Sequence, residues 1–309
     1  MPEAYIILNP QAAKGHASRK EGIITAYLNR HGWKVRIDRT AGQSDGMRLA
    51  RQAVRDGRPL IIAAGGDGTV NEVVDGIYQE DIAQGGGLTL PSFGVIPIGR
   101  GNDFAYAAGI PAKTGDACAR LVHGSPRDLD IGIVRGGDYP EGRCFVNGVG
   151  VGFEPLVNFR AMEFKHINGM PSYVLGLLKV LARYPQPWRI RITLDGGEYE
   201  VDTQQISICN GRRMGSAFLM GPEASLDDGL FDVTFARRPF KGLKIMSLVP
   251  LFLTGRQIRH SSFHFERTAA MTISTDAPVL PVHADGEVIS YGCTGISVEM
   301  SGKKLKIMI

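Results

Sequence analysis

The chain is poor in cysteine. Cys118, Cys144, Cys209 and Cys293 are the four among 309 residues. None forms a CxxC, and none pairs with histidine at zinc spacing. This argues against a zinc module and makes a reducing cytoplasm the expected compartment. Long hydrophobic runs are also missing. The longest, near Leu243–Thr254, contains Lys244 and Pro250 and is too short to span a bilayer. The opening MPEAYIILNP carries Glu3 and reads as a first strand, not as a signal peptide. No block of Lys and Arg stands out, so nucleic acid is not an expected partner. The net charge of +4 and pI of about 8.9 favour anionic partners only slightly. The seven histidines, including His260 and His264 at i,i+4, make no ligand set.

Glycine, by contrast, is abundant. The chain has 40 in 309, about 13%, where roughly 7% is usual. They follow no triplet period, which excludes collagen and points to many tight loops. Hydrophobic residues make up 43%, enough for sizeable cores, and the length suggests about two domains.

Up to about residue 126 short apolar runs alternate with helical periodicity, an α/β pattern. Strands are expected at Ala4–Leu8, Trp33–Ile37, Pro59–Ala64 and Phe93–Pro97. Helices are expected over Asp45–Val54 and Thr69–Tyr78, the latter followed by a loose loop, QEDIAQGGG. From about 127 to 309 the pattern becomes β-rich and alternating, as in Trp188–Leu194 and Ala270–Thr275. Helical segments interrupt it at Ser172–Tyr184 and Gly242–Leu253. The last strand is free to return to the first domain. Asp128 and Asp130 bracket the junction and are expected to organise it by hydrogen bonds.

The polar, glycine-rich pieces fall at the carboxyl ends of the first strands, where ligands bind in open α/β sheets. A strand ending in Gly65-Gly66-Asp67-Gly68 turns sharply and exposes backbone N–H groups. The helix start at Thr69 adds a positive dipole end, and together these suit phosphate. An aspartate there repels bare phosphate, so Asp67 must serve some other end. It can serve catalysis by holding Mg²⁺ on the phosphates, positioning a hydroxyl or accepting its proton, or it can simply cap a helix. The sequence matches neither a Walker A loop nor GxGxxG. A second strand ends in Gly99-Arg100-Gly101-Asn102-Asp103, where Asn102 and Asp103 are also good caps. Asn9-Pro10 with Lys14 forms a third loop at the same edge.

In the second half, Asp285-Gly286 reads as a hairpin turn with Glu287 beside it. Glu287 is either an exposed glutamate or a carboxylate able to deprotonate a hydroxyl. Ser225–Leu230 (SLDDGL) is either a solvated turn or a weak site for hard Mg²⁺. Asn147 and Asn210 fix turns or shape a cleft.

Taken together, NPQAAKG (9–15), GGDGTVNEVV (65–74), IPIGRGNDFA (96–105), DLDIG (128–132), FVNGVGVGF (145–153), ICNGRRMG (208–215), PEASLDDGLFDV (222–233) and HADGE (283–287) resemble the diacylglycerol-kinase-type lipid kinase family, which includes bacterial lipid kinases and sphingosine kinases. The resemblance covers nearly the whole chain. It implies an N-terminal Rossmann-like α/β nucleotide-binding domain, a C-terminal antiparallel β-sandwich-like domain, and ATP in the cleft between them. By similarity, Gly65, Gly66, Asp67, Gly68, Thr69, Asn71 and Thr40 contact nucleotide, with Asn9, Asn102 and Asp103 in the neighbouring turns. Glu287 matches a catalytic glutamate. The Asp228 side chain with the Ser225 and Leu230 carbonyls matches a structural Mg²⁺ site. Two positions depart from the family pattern. Arg100 stands where a threonine is usual, and RRMGSAF follows Asn210 where glycines are usual.

The expected reaction is in-line transfer of the γ-phosphate of Mg²⁺-ATP to a lipid hydroxyl. Arg237, Arg238, Lys241 and Lys244 beside Leu243 and Phe252, and the Leu-rich stretch 159–184, are compatible with an interfacial segment or an acyl pocket. They are equally compatible with ordinary core packing. Peripheral contact with the inner membrane face and a homodimer are both compatible with the sequence. The rivals are an NAD or other small-molecule kinase, and a non-catalytic nucleotide- or lipid-binding regulator.

Overall fold

The computed structural model describes residues 1–12, 17–164, 170–240, 244–276 and 279–309. The chain divides into two compact units, Met1–Ile131 with Gly302–Ile309, and Gly132–Ser301.

The first unit is mixed α/β. Its elements are β1 (Glu3–Leu8), α1 (Ala17–Arg30), β2 (Lys34–Arg39), α2 (Asp45–Arg55), β3 (Leu60–Gly65), α3 (Asp67–Ala83), β4 (Ser92–Pro97), α4 (Asp103–Ala107) and α5 (Thr114–His123). β5 (Pro126–Gly136) runs out of this unit, and the end of β16 (Gly295–Met308) runs back into it. The strand order is β2-β1-β3-β4-β16, with parallel pairing throughout. β3 is buried at every residue, as expected of a parallel strand covered on both faces. The chain leaves β1 towards β2 on one side and β3 towards β4 on the other. α2 packs on α3, and α1 on α5. The strand order thus reverses between β1 and β3, and a crevice opens at their carboxyl ends.

α3 differs from the expectation. It begins at Asp67 and runs through Ala83, so QEDIA is helix and not loop. Burial explains the extension. Glu80 is buried and accepts from Arg55 Nε at 2.8 Å and Arg51 Nε at 3.0 Å on α2. Asp81 is buried, takes the Leu88 N–H at 2.9 Å and pairs with Lys303. These acids anchor the helix end. At the start of β5, Asp128 pairs with Lys306, and Asp130 with Lys304 at 3.0 Å.

The second unit is an antiparallel β-sandwich. It contains β6 (Tyr139–Phe145), β7 (Gly148–Gly152), α6 (Phe153–Met162), α7 (Met170–Ala182), β8 (Trp188–Leu194), β9 (Gly197–Thr203), β10 (Gln205–Cys209), β11 (Phe231–Ala236), α8 (Lys244–Thr254), β12 (Phe263–Thr268), β13 (Ala270–Ser274), β14 (Leu280–Ala284) and β15 (Glu287–Cys293). One sheet has the order β12-β11-β10-β7-β14-β15, all antiparallel. Alternate residues of β8 (Ile190, Ile192, Leu194) share one core with Ile206 and Ile208 of β10, and Phe145 stacks on Phe231 at 5.4 Å. Period-two burial of this kind is what two packed sheets require. Among the described residues no helix is long and apolar enough to cross a membrane.

Candidate active site

Two glycine turns meet at the carboxyl ends of β3 and β4. A Cβ on Gly65 would lie 2.3 Å from Thr69 Oγ1, and one on Gly99 would lie 2.4 Å from Gly66 Cα. Neither position has room for a side chain. The Ile98 and Gly99 N–H groups both donate to the Gly65 carbonyl, at 2.8 and 3.1 Å. Asn9, at the end of β1, donates from Nδ2 to Thr69 Oγ1 at 3.2 Å. The buried Thr40 extends the edge, its N–H on the Leu8 carbonyl at 2.9 Å. Asn71 is buried one turn into α3. The described residues of the three loops singled out in the sequence, Asn9, Gly65–Thr69 and Gly99–Asp103, therefore lie together at the carboxyl ends of β1, β3 and β4.

The caps fall differently from the expectation. Thr69 lies inside α3, whose N-cap is the extended Gly66. Glycine has no side chain with which to satisfy the first N–H groups of the helix. Asp67 does cap a helix, but not its own. Its Oδ1 accepts the Phe104 N–H at 3.0 Å, and the N–H groups of Asp103 and Asn102 also converge on the carboxylate at the start of α4. Burial pushes the Asp67 carboxyl above its ordinary value, while these N–H groups hold it partly back. Asn102 sits in the left-handed region at φ 50° and closes the turn by donating from Nδ2 to the Gly99 carbonyl at 2.9 Å. Asp103 is buried. Arg100 is exposed, and its side chain has no partner among the described residues.

In the second unit, Asp285 (φ 49°) and Gly286 (φ 87°) form the two-residue turn between β14 and β15. Asp285 is a structural acceptor. Its Oδ1 takes the N–H groups of Asn147 and Gly148 at 3.0 and 2.8 Å, and its Oδ2 takes that of Val146 at 2.9 Å. Asn147 Nδ2 donates to the Arg213 carbonyl at 2.7 Å and Asn210 Nδ2 to the Val146 carbonyl at 2.8 Å, which fixes the same turn. Glu287, half-buried, opens β15 directly after this rigid hairpin.

A pair that the sequence did not suggest lies beside it. His283 Nε2 is 2.5 Å from Glu154 Oε2, and the Gly286 N–H donates to His283 Nδ1 at 3.2 Å. An Nδ1 that accepts leaves the proton of the neutral ring on Nε2, facing the carboxylate. Burial alone would lower the His283 pKa, but the Glu154 charge and hydrogen bond outweigh it and raise it. The pair exists because Gly150 has no Cβ: one would lie 1.9 Å from Glu154 Oε2. The alternating glycines of GVGVG were the available signal, since glycine inside a strand often marks a close approach.

Glu154 also stands on the wall of an apolar pocket in this unit, enclosing about 990 Å³ including its open mouth. Phe153, Leu177, Phe218, Phe240 and Phe252 supply much of its lining. In the 225–230 loop, the Ser225 hydroxyl donates to Asp227 Oδ1 at 2.6 Å, and Asp228 Oδ1 accepts the Leu230 N–H at 3.1 Å. Lys14, His16, His166, Lys241 and Leu243 lie outside the described residues, as do the side chains of Lys244 and Ile245.

Residues 3–134 match the diacylglycerol kinase catalytic domain, and residues 147–309 match the YegS C-terminal NAD kinase beta sandwich-like domain. The chain belongs to the YegS-like and diacylglycerol kinase family of lipid kinases. Enzymes of this lipid kinase family use ATP, and the chain is an enzyme of that class. It is 33% identical to a probable YegS-like lipid kinase of Chromohalobacter salexigens, over 79% of this chain and 74% of that one. It is 30% identical to a diacylglycerol kinase of Mycobacterium tuberculosis, over 91% and 87%. A diacylglycerol kinase structure from Bacillus anthracis shares the fold of this lipid kinase with a TM-score of 0.71, at 19% identity over 99% of this chain and 96% of that one.

Proposed function

We propose that this lipid kinase phosphorylates the free hydroxyl of diacylglycerol or a related lipid such as a sphingoid base. The first unit acts as a Rossmann-like nucleotide-binding domain and the second receives the lipid. One observation carries the reading: Gly65-Gly66 and Gly99 pack backbone to backbone at the carboxyl ends of β3 and β4, next to the β1/β3 crevice where strand order reverses. Such a glycine-lined edge admits a polyphosphate where side chains would exclude it.

In this reading Gly65–Thr69, Asn71, Asn9 and Thr40 contact ATP, and Asn102 and Asp103 shape the second turn. Arg100 replaces the usual threonine and offers its free guanidinium fork to phosphate. Asp67, fixed by the start of α4, organises the nucleotide or its metal. In the second unit the acyl chain enters the apolar pocket. The lipid oxygen attacks the γ-phosphorus, the bond to the β-phosphate oxygen breaks, and ADP leaves. The hydroxyl proton passes to the Glu287 carboxylate.

Mg²⁺ accompanies ATP and neutralises phosphate charge. A second, structural Mg²⁺ suits the 225–230 loop, held by Asp228 and the Ser225 and Leu230 carbonyls. The nearby donors fit a cation. Asp232 Oδ2 is buried without a partner among the described residues, and burial together with Asp228 and Glu223 raises the Asp232 pKa against the pull of Arg267. The enzyme works in the cytoplasm, peripherally at the inner membrane face.

The deciding experiment supplies radiolabelled ATP with diacylglycerol, sphingosine or NAD as acceptor. Label in one extracted lipid, absent with D67A, is expected. Label in NAD alone would move the chain to a nucleotide-kinase reading, and nucleotide binding without any transfer would make it a regulator.

A further inference from the structure

Glu287 follows a glycine whose two backbone polar groups are each held by a side chain. Asn158 Nδ2 donates to the Gly286 carbonyl at 2.8 Å, and the Gly286 N–H donates to His283 Nδ1 at 3.2 Å. Gly286 stands at φ 87°, and its two dihedrals would otherwise be the freest in the hairpin. Bonds on both its N–H and its carbonyl fix the direction in which the chain enters Glu287. Each holding side chain is itself held. The Tyr173 hydroxyl donates to Asn158 Oδ1 at 3.0 Å, and His283 Nε2 meets Glu154 Oε2 at 2.5 Å. Asn158 and His283 are buried, so water does not compete for their bonds.

The helices are placed for this. Glu154 and Asn158 stand four apart on α6 and share one helix face, from which both reach the β14–β15 hairpin. Tyr173 reaches Asn158 because α7 lies close on α6. A Cβ on Gly176 would lie 2.6 Å from the Val157 carbonyl oxygen, so the approach needs glycine there. The outer members of the two chains, Tyr173 and Glu154, both line the apolar pocket. Two hydrogen-bond chains therefore run from the pocket wall to the two sides of Gly286.

We infer that Tyr173, Asn158, His283 and Glu154 are positioning residues, which aim the Glu287 carboxylate through Gly286 and tie that aim to the wall of the apolar pocket. The inference rests on the lipid-kinase reading, in which Glu287 takes the hydroxyl proton and the pocket takes the acyl chain. A hydrocarbon chain in the pocket packs on Tyr173 and Glu154, and a displacement there passes along both chains to Gly286. Such aim matters, because a misplacement of about 1 Å at a reacting group costs about 100-fold in rate.

The test uses the full chain at a pH above the His283 midpoint, where Nδ1 accepts. Tyr173→Phe removes one hydroxyl and keeps the ring on the pocket wall. Glu154→Met removes the acceptor and keeps the length of the side chain. Each should lower kcat on diacylglycerol about tenfold, with KM within about twofold of wild type. In a Glu287→Gln background neither should lower kcat further, since an effect that acts through Glu287 is already lost there. A tenfold loss repeated in that background, or wild-type kcat in both variants, would overturn the proposal. The tie to the pocket is read by NMR with decanol and no ATP, the Val174 and Leu177 methyl groups reporting its entry. The Gly286 amide should shift in wild type and stay in place in Tyr173→Phe/Glu154→Met. No entry, or entry without a shift at Gly286, would overturn the tie. The expected shifts in a protein that transfers no phosphate to any lipid would uphold the network and overturn the kinase reading instead.

Discussion

Gly66 and Gly99 touch through their backbones: a Cβ added to Gly99 would lie 2.4 Å from the Gly66 Cα. The obstacle is backbone and cannot rotate away. Gly99→Ala should cost about 1–3 kcal/mol of stability through overpacking. It should also part the two turns and weaken ATP binding by about tenfold or more, or about 1.4 kcal/mol. Urea unfolding and titration calorimetry would check the two effects separately.

Asp285 and Glu287 stand two residues apart and should behave oppositely. Asp285→Ala leaves the Val146, Asn147 and Gly148 N–H groups, all in buried residues, without their acceptor. An unmet buried donor costs about 1–3 kcal/mol, so a loss of about 3 kcal/mol or more is expected. Glu287→Gln should leave stability within about 0.5 kcal/mol and lower kcat by about 100-fold. Thermal unfolding and turnover measured on both variants test the division.

Glu80 should make the protein acid-sensitive. Hydrogen bonds from Arg55, then Gln84 and Arg51, hold its carboxyl down to about 2 from an ordinary 4.5. The unfolded chain binds this proton at higher pH than the folded one. The contribution is therefore complete above about 4.5 and lost as pH falls towards 2. Glu80→Gln removes the titration. The gap in urea midpoint between wild type and variant should be widest near neutrality and close by pH 2.

His283 should titrate above its ordinary 6.5, because Glu154 outweighs burial. A raised folded value means that its contribution to stability is complete below 6.5 and lost as pH rises through the folded pKa. In Glu154→Gln only the Asp285 charge still opposes burial, and the His283 midpoint should fall relative to wild type. NMR of the His283 ring carbons across pH would show the fall. An unchanged midpoint would mean that the two side chains are not coupled.

The first unit was largely legible because β1, β3 and β4 are apolar runs closed by glycine or asparagine, and fully buried parallel strands leave that mark. The end of α3 was not legible. Glu80 and Asp81 look like solvated loop residues until Arg51, Arg55 and Lys303 are placed beside them. Nor could local sequence show Asp67 serving a helix that starts 36 residues later, since a cap is ordinarily sought within one turn. The Glu154–His283 pair spans 129 positions. Only the glycines of β7 hinted that something must approach its backbone there. In the hairpin, the sequence placed Asp285 in the turn and Glu287 beside it, but only the three backbone N–H groups on Asp285 mark it as a structural acceptor.

In the proposed mechanism, nucleotide binding belongs to the glycine turns of the first unit and proton removal to Glu287 in the second. The most direct test measures ATP affinity and γ-phosphate transfer to diacylglycerol on the same preparations of wild type, Gly65→Ala and Glu287→Gln. Glu287→Gln should bind ATP as tightly as wild type and transfer almost no label, whereas Gly65→Ala should lose ATP binding itself. Wild-type transfer by Glu287→Gln, or undiminished ATP affinity in Gly65→Ala, would contradict this division of labour.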